Sequence, residues 1–249
     1  MNKTVIISGG GSGIGYETAK VFLEKSDTVI ISGKNKQKLY DAQKQLKIEY
    51  PNSSIYTYSA DMSNFIDVQL LFEYAITHTG SVNILVNNCG KWFSKPLSEI
   101  SDKDIYETFD NNLKTVIVGT IVANQFMRTI DSYNHIINIG SYSGTIPRYT
   151  ASLYSCFKSG IINFTKSSAS ELIENHIKVN CVIPGIIETP MTSDSIEKNK
   201  DNLIEPVSMK RTGHPREVAT TIYWLTTSDS SYINGTSIEV SGGKYLTQL

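Results

Sequence analysis

The sequence predicts one α/β domain built on a doubly wound, parallel, seven-stranded sheet with helices on both faces. Three observations carry this prediction. Seven short apolar runs recur along the chain, stretches of helical periodicity fall between them, and no linker-like, low-complexity or repeated segment divides the 249 residues. Strand–helix alternation over a whole chain is the pattern of a parallel sheet covered on both sides. A chain of this length buries roughly 70–75% of its unfolded surface, enough for a core without disulfide or metal staples.

The elements follow in order. "TVIIS" (4–8) is the first strand and runs directly into "SGGGSGIG" (8–15). Ile14, Thr18, Val21 and Phe22 then recur at helical spacing, so a helix begins near Ser12 and Gly13. "DTVIIS" (27–32) and "SIYTYS" (54–59) are the next strands, and Phe65, Val68, Phe72 and Ala75 mark a second amphipathic helix. "VNILVN" (82–87) is the fourth strand. Ser101 and Asp104 have capping-box spacing at the start of a long helix that runs toward Arg128. "HIINI" (135–139), a helix over 152–174, "IKVNCVI" (177–183) and "SIEV" (237–240) complete the set. Near-continuous Val and Ile in several strands fits a sheet buried on both faces. Only "ETPMTSDSIEKNKDNLIEPVSMKRTGHP" (188–215) breaks the rhythm. A polar insertion after a strand's C-terminal end lies over the ligand crevice, so it reads as a substrate lid.

Composition narrows the function. With 23 basic and 24 acidic residues in no long blocks, the net charge of −1 advertises neither a nucleic-acid nor an anionic-membrane surface. No stretch approaches the ~20 apolar residues of a membrane span, which points to a cytoplasmic protein. The three cysteines (Cys89, Cys156, Cys181) read as small buried side chains in a reducing compartment, with Cys156 pointing away from Tyr154. The four histidines are isolated, so no metal site is expected.

The glycine loop sits where a strand meets a helix N-terminus. Unpaired amides and a partial positive charge there suit a pyrophosphate, and glycines let the backbone approach it closely. Gly9, Gly13 and Gly15 form a G-x-x-x-G-x-G pattern rather than the i, i+2, i+5 template. At the end of the second strand, dinucleotide folds that take NAD carry a carboxylate for the ribose. Here Gly33 and Lys34 stand instead, and a lysine attracts a 2′-phosphate. NADP(H) is therefore favoured, with NAD(H) possible.

Tyr154 and Lys158 lie one helical turn apart on one face. A tyrosine titrates near pH 10, and a neighbouring cation would bring its phenolate within reach of neutrality. Ser141 follows the strand "HIINI" and so faces the crevice at the strand's C-terminal end.

Together these motifs resemble a short-chain dehydrogenase/reductase of about this length. "SGGGSGIG" is similar to the family's T-G-x-x-x-G-x-G, with Ser8 for Thr, and "NNCG" (87–90) to its N-N-A-G. "NNLK" (111–114) puts Asn112 at the family's catalytic asparagine, and Ser141, Tyr154 and Lys158 fall on the rest of the tetrad. "NCVIPGIIETPM" (180–191) resembles the segment bordering the nicotinamide, and Asp61 in "ADMS" matches the residue that contacts adenine. The resemblance implies a Rossmann-type fold and a hydride transfer between the nicotinamide and a carbonyl or secondary alcohol. In that scheme Tyr154 is the general acid/base, Ser141 stabilises the oxygen, Lys158 binds the ribose and lowers the Tyr154 pKa, and Asn112 holds a water leading to solvent. It also implies cofactor contacts from Ser8, Gly9, Gly11, Ser12, Gly13, Ile14, Gly15, Lys34, Asp61, Met62, Asn88, Gly90, Tyr154, Lys158, Pro184, Gly185, Ile187 and Thr189, and a homotetramer. Thr189 has two roles open, a cofactor contact or a cap of the lid.

The substrate is a small molecule. Trp92, Phe93, Ile146 and Tyr149 suggest an apolar or ring-bearing carbonyl compound, and Arg128 is the one basic residue nominated for an acyl-carrier surface. A non-catalytic dinucleotide sensor and an NAD-linked sugar or alcohol dehydrogenase are the alternatives.

Overall fold

The computed structural model describes residues 2–127 and 132–244. Seven parallel strands, β1 (Thr4–Ser8), β2 (Thr28–Gly33), β3 (Ile55–Ser59), β4 (Ile84–Asn87), β5 (Asn134–Ile139), β6 (Ile177–Pro184) and β7 (Ser237–Val240), form one sheet in the order β3-β2-β1-β4-β5-β6-β7. The helices are α1 (Gly13–Glu24), α2 (Lys36–Glu49), α3 (Phe65–Thr79), α4 (Asp102–Phe109), α5 (Thr115–Phe126), α6 (Ser152–Leu172), α7 (Ser193–Ile204) and α8 (Pro215–Trp224). The chain leaves β1 toward β2 on one side and returns to pair β4 on the other, so a crevice opens at the carboxyl ends of β1 and β4.

Alternation within the buried strands divides the core in two. Val5, Ile7, Val29 and Ile31 pack with Phe22 of α1, Leu39 and Leu46 of α2 and Ile222 of α8. Ile6, Ile30 and Leu85 point the opposite way, onto Phe72 of α3, Val122 of α5 and Ala169 of α6. A polar ladder crosses the second layer. The Asn87 amide donates to Asn138 Oδ1 at 2.9 Å, and the Asn138 amide donates to Thr165 Oγ1 at 3.0 Å, joining β4, β5 and α6. Gly119 makes room for it, since a Cβ there would lie 2.4 Å from Asn87 Oδ1.

Local signals set the helix starts. Asn35 caps α2 by accepting from the Lys38 amide, and Asn64 accepts from the Ile66 and Asp67 amides of α3. Ser101 and Asp104 form a reciprocal capping box on α4, as their spacing predicts. A second box, His214 with Glu217 and Pro215 in the first turn, starts α8 and escaped the sequence analysis.

Two expectations are corrected. The long helix predicted from residue 102 to Arg128 is interrupted by a π-helical turn over Asp110–Lys114 between α4 and α5. The cause is Asn112, whose amide nitrogen donates to the Thr108 and Lys91 carbonyls while its Oδ1 accepts from the Lys91 amide. Arg128 itself lies outside the described residues. Of the cysteines, only Cys181 is fully buried; Cys89 is half-buried and Cys156 is exposed, because its position on α6 faces away from the sheet.

Asn138→Ala should leave the Asn87 amide with only the 3.4 Å contact to Thr120. A buried polar group without a good partner costs about 1–3 kcal/mol, so urea unfolding should report a loss of that size. Exchanging the exposed Tyr40 for Ser should stay within about 0.5 kcal/mol.

Candidate active site

A cleft of about 630 Å³ runs along the carboxyl ends of the strands. The backbone turns sharply at its floor, with Gly9 and Gly13 at φ +66° and +57°, values open to glycine at little cost. Ser12, the residue before α1, makes no side-chain cap, so the first amides of α1 are left for a ligand, and Ser12, Gly13 and Ile14 line the cleft. A Cβ on Gly11 or Gly13 would lie 3.2 Å from Lys38 Cγ or Thr189 Cγ2, so a side chain would narrow this part of the cleft. Such a cradle fits the pyrophosphate of a dinucleotide.

At the β2 end, the lining includes Ser32, whose hydroxyl is buried without a partner among the described residues, together with Lys34, Asn35 and Lys38. Lys34 Nζ lies 3.0 Å from Asp61 Oδ2, and the Ser63 amide and hydroxyl also donate to Asp61. Burial pushes the Asp61 carboxyl up, but these hydrogen bonds and the lysine charge outweigh it and hold it below the usual range. Lys38 is a second cation that the sequence analysis missed; it stands in the first turn of α2, beyond the Asn35 cap.

At the β5 end, Ser141, Tyr154 and Lys158 converge on the same cleft. Lys158 Nζ donates to the Ile139 carbonyl at 2.8 Å and stands 5.7 Å from the Tyr154 ring centre. Burial pulls the ammonium down to about 8. The same burial pushes the Tyr154 phenol up to about 12, against a hydrogen bond with Ser141 that acts the other way. Burial, the largest influence on both groups, works against the lowering of the Tyr154 pKa that pairing with Lys158 predicts. Gly90 keeps Lys158 and Asn112 from being separated by a side chain, since its Cβ would be 3.3 Å from Asn112 Oδ1 and 3.5 Å from Lys158 Nζ.

Of the other residues singled out, Asn88, Pro184, Gly185, Ile187 and Thr189 also line the cleft. Five do not. Ser8 is buried, its hydroxyl donating to the Val86 carbonyl and accepting from the Asn88 and Cys89 amides, so it fastens β1 to the turn after β4. Gly15 is a packing position: a Cβ would lie 2.4 Å from the Gly9 carbonyl oxygen. Asp61 stands behind Lys34, Met62 is buried against an adjoining hollow, and Asn112 is fully buried in the π-turn. Thr189 both lines the cleft and closes a turn, its hydroxyl 3.1 Å from that of Thr192.

Beyond the tetrad the wall is apolar. Trp92 meets Tyr154 edge-on at 4.8 Å, and Tyr142, Met191, Ile196 and Leu203 continue the surface. Phe93, Ile146 and Tyr149 do not reach it, and Tyr149 is 95% exposed. Within 188–215, the lining residues fall between Thr189 and Leu203, and the segment contains α7, which is kinked at Asn199 and which periodicity did not reveal. Arg148 lines the cleft mouth and was also missed. Among the described residues no group of His, Cys, Asp or Glu is placed to hold a metal, and no helix is long and apolar enough to cross a membrane.

A dinucleotide cradle ending on a buried Ser–Tyr–Lys cluster defines an oxidoreductase site. The chain belongs to the short chain dehydrogenase family, whose profile matches residues 3–200. It is 31% identical to a 3-oxoacyl-acyl-carrier-protein reductase of Thermotoga maritima over 97% of both chains. A reductase of the same name from Chlamydia muridarum is 30% identical over 98% of this chain and 97% of its own. Among solved structures, a short-chain dehydrogenase/reductase (glucose/ribitol dehydrogenase) from Brucella melitensis superposes with a TM-score of 0.91 at 28% identity, covering 99% of this chain and 98% of its own. A blue fluorescent protein from a metagenomic library, in complex with NADPH, gives 0.89 at 26% identity over 98% of both chains.

Gly15→Ala should cost about 1–3 kcal/mol in urea unfolding, as overpacking does. Gly33→Ala, whose Cβ would meet nothing within 4 Å, should stay within about 0.5 kcal/mol. For Lys158, the folded protein gives up its proton near 8 and the unfolded chain near 10.5. Between those values the unfolded state binds more protons, so this group's contribution to stability rises with pH. The urea midpoint of wild type relative to Lys158→Met should climb across that window, and a flat difference would contradict the assignment.

Proposed function

We propose that the chain is an NADP(H)-dependent oxidoreductase moving a hydride between the nicotinamide and a carbonyl or secondary-alcohol carbon. The observation that carries this reading is the meeting of Ser141, Tyr154 and Lys158 in the same cleft that Lys34 and Lys38 line at the β2 end. The bound dinucleotide supplies the hydride. Ser141 donates a hydrogen bond to the carbonyl oxygen and stabilises its developing charge. Tyr154, kept protonated by burial, is the proton donor to that oxygen. Lys158, fixed by the Ile139 carbonyl, would bind the ribose hydroxyls of a bound dinucleotide. Asn112 shapes the π-turn beside Gly90 and would hold a water linking Lys158 to solvent.

Lys34 and Lys38 support NADP(H), as does the NADPH complex of the metagenomic neighbour. One observation favours NAD(H) instead: Asp61 already neutralises Lys34. The names of the curated relatives support reduction of an oxo group. We extend the reading to a single catalytic domain in which 188–215 is a lid and four copies assemble in the cytoplasm. Its partners are then small molecules, with neither nucleic acid nor membrane.

The test follows NADPH and NADH oxidation over a panel of carbonyl compounds. NADPH should be preferred, and Tyr154→Phe should lower turnover by at least about 100-fold while still binding NADPH. NADPH binding without turnover on any compound would favour a sensor. Replacing Lys34 and Lys38 together by Ala should weaken NADPH binding by at least about tenfold and NADH binding far less, since a bond to a charged group contributes about 1.5–3 kcal/mol. Equal losses for both would remove NADP(H) from the account.

A further inference from the structure

The charges on the cleft wall are one-sided. Its described lining carries Lys34, Lys38, Arg148 and Lys158 and no Asp or Glu. Three of these have places in the reading above, and Arg148 has none. The chain has four arginines. Arg211 grips Glu217 with two hydrogen bonds of 2.8 and 2.7 Å, and Arg216 grips Glu24 with two of 2.8 and 2.6 Å. Arg128 lies outside the described residues. The Arg148 guanidinium meets no carboxylate among the described residues. It lies instead 5.2 Å from the Trp92 ring centre, and Trp92 in turn packs edge-on against Tyr154 at 4.8 Å.

This placement is built rather than incidental. The loop carrying Arg148 is stitched to the loop carrying Trp92: the Lys95 amide donates to the Thr150 carbonyl at 2.6 Å, and the Ser94 and Thr150 hydroxyls lie 2.8 Å apart. Thr150 has φ +61°, a left-handed conformation that a threonine adopts at a cost, and these bonds hold it there. The Ala151 amide donates back to the Arg148 carbonyl at 3.1 Å. Cation–π contact with Trp92 orients the guanidinium while leaving its fork of donors open. Lys244 lies 5.0 Å from the Tyr142 ring centre, and burial together with the charge of Arg148 pulls its ammonium down to about 8.

We propose that Arg148 binds a carboxylate on the substrate, which makes the preferred compound an oxo acid with an apolar or aromatic body. The carbonyl would sit at Tyr154 and Ser141, the body against Trp92, Tyr142 and Met191, and the carboxylate at the Arg148 fork. Because guanidinium and phenol each meet the Trp92 ring, at 5.2 and 4.8 Å from its centre, and not each other, the carboxylate would stand a few bonds from the carbonyl carbon rather than next to it. The inference rests on the carbonyl-reductase reading for the word substrate, but the anion site stands on its own geometry.

The experiment pairs benzoylpropionate with its methyl ester. Trp224→Phe leaves Trp92 as the single tryptophan, so its fluorescence reports binding without turnover. NADPH oxidation is measured on the same pair. The acid should bind at least about tenfold more tightly than the ester, as a charge-assisted bidentate pair requires. That ratio should fall to near one in Arg148→Met and lie between in Arg148→Lys. Equal binding of acid and ester, or a ratio unchanged in Arg148→Met, would overturn the carboxylate site. Ester turnover without preference for the acid would sink the site and keep the reductase. Arg148-dependent acid binding with no NADPH oxidation would sink the reductase and keep the site.

Discussion

The hydrogen bond from the Lys158 ammonium to the Ile139 carbonyl is the contact on which the site depends. A buried cation is tolerated only where its protons find acceptors, and the last residue of β5 supplies one. That requirement sets the register of α6 against β5. It brings Tyr154, one turn earlier, to the carboxyl end of the sheet, and it places Ser141 just beyond the strand. The neighbouring loop closes down on the same point, since a Cβ on Gly144 would lie 2.7 Å from the Lys158 backbone. The π-turn at Asn112 continues the arrangement, for it lets α4 and α5 pass Gly90 without a side chain standing between them and the lysine.

The second constraint is electrostatic. The described lining of the cleft carries Lys34, Lys38, Arg148 and Lys158 and no carboxylate, so its field favours anionic molecules. Asp61 stands just behind this wall and moderates Lys34. The apolar surface of Trp92, Met191, Ile196 and Leu203 keeps the reacting end poor in water. Burial there raises the cost of charging Tyr154, so the phenol keeps the proton that reduction of a carbonyl consumes.

Much of this was legible in the sequence. Continuous Val and Ile in β1, β2 and β4 signalled a sheet buried on both faces, and the motifs from Gly9 to Thr189 located most of the cleft. What escaped had physical reasons. Ser8 and Gly15 occupy motif positions, yet the Ser8 hydroxyl fastens β1 to the turn after β4 and Gly15 packs on the Gly9 carbonyl, relations a motif does not report. The π-turn arises from side-chain bonds between Asn112 and the backbone of Lys91, far apart in sequence. The α7 segment has Ile196, Leu203 and Ile204 on one face, but the turn between them is wholly polar, so its apolar stripe is broken. Arg148 and Lys38 matter only because the fold turns two loops and a helix face toward the same space. The pKa directions likewise depend on burial, which spacing alone does not report.

The most direct measurement of the central claim is isotope transfer. NADPH carrying deuterium at the transferable position is incubated with the protein and a carbonyl substrate, and the alcohol is analysed by mass spectrometry. The account predicts one deuterium at the carbinol carbon with wild type and almost none with Tyr154→Phe. NADPH binding with no deuterium in any alcohol product would contradict it.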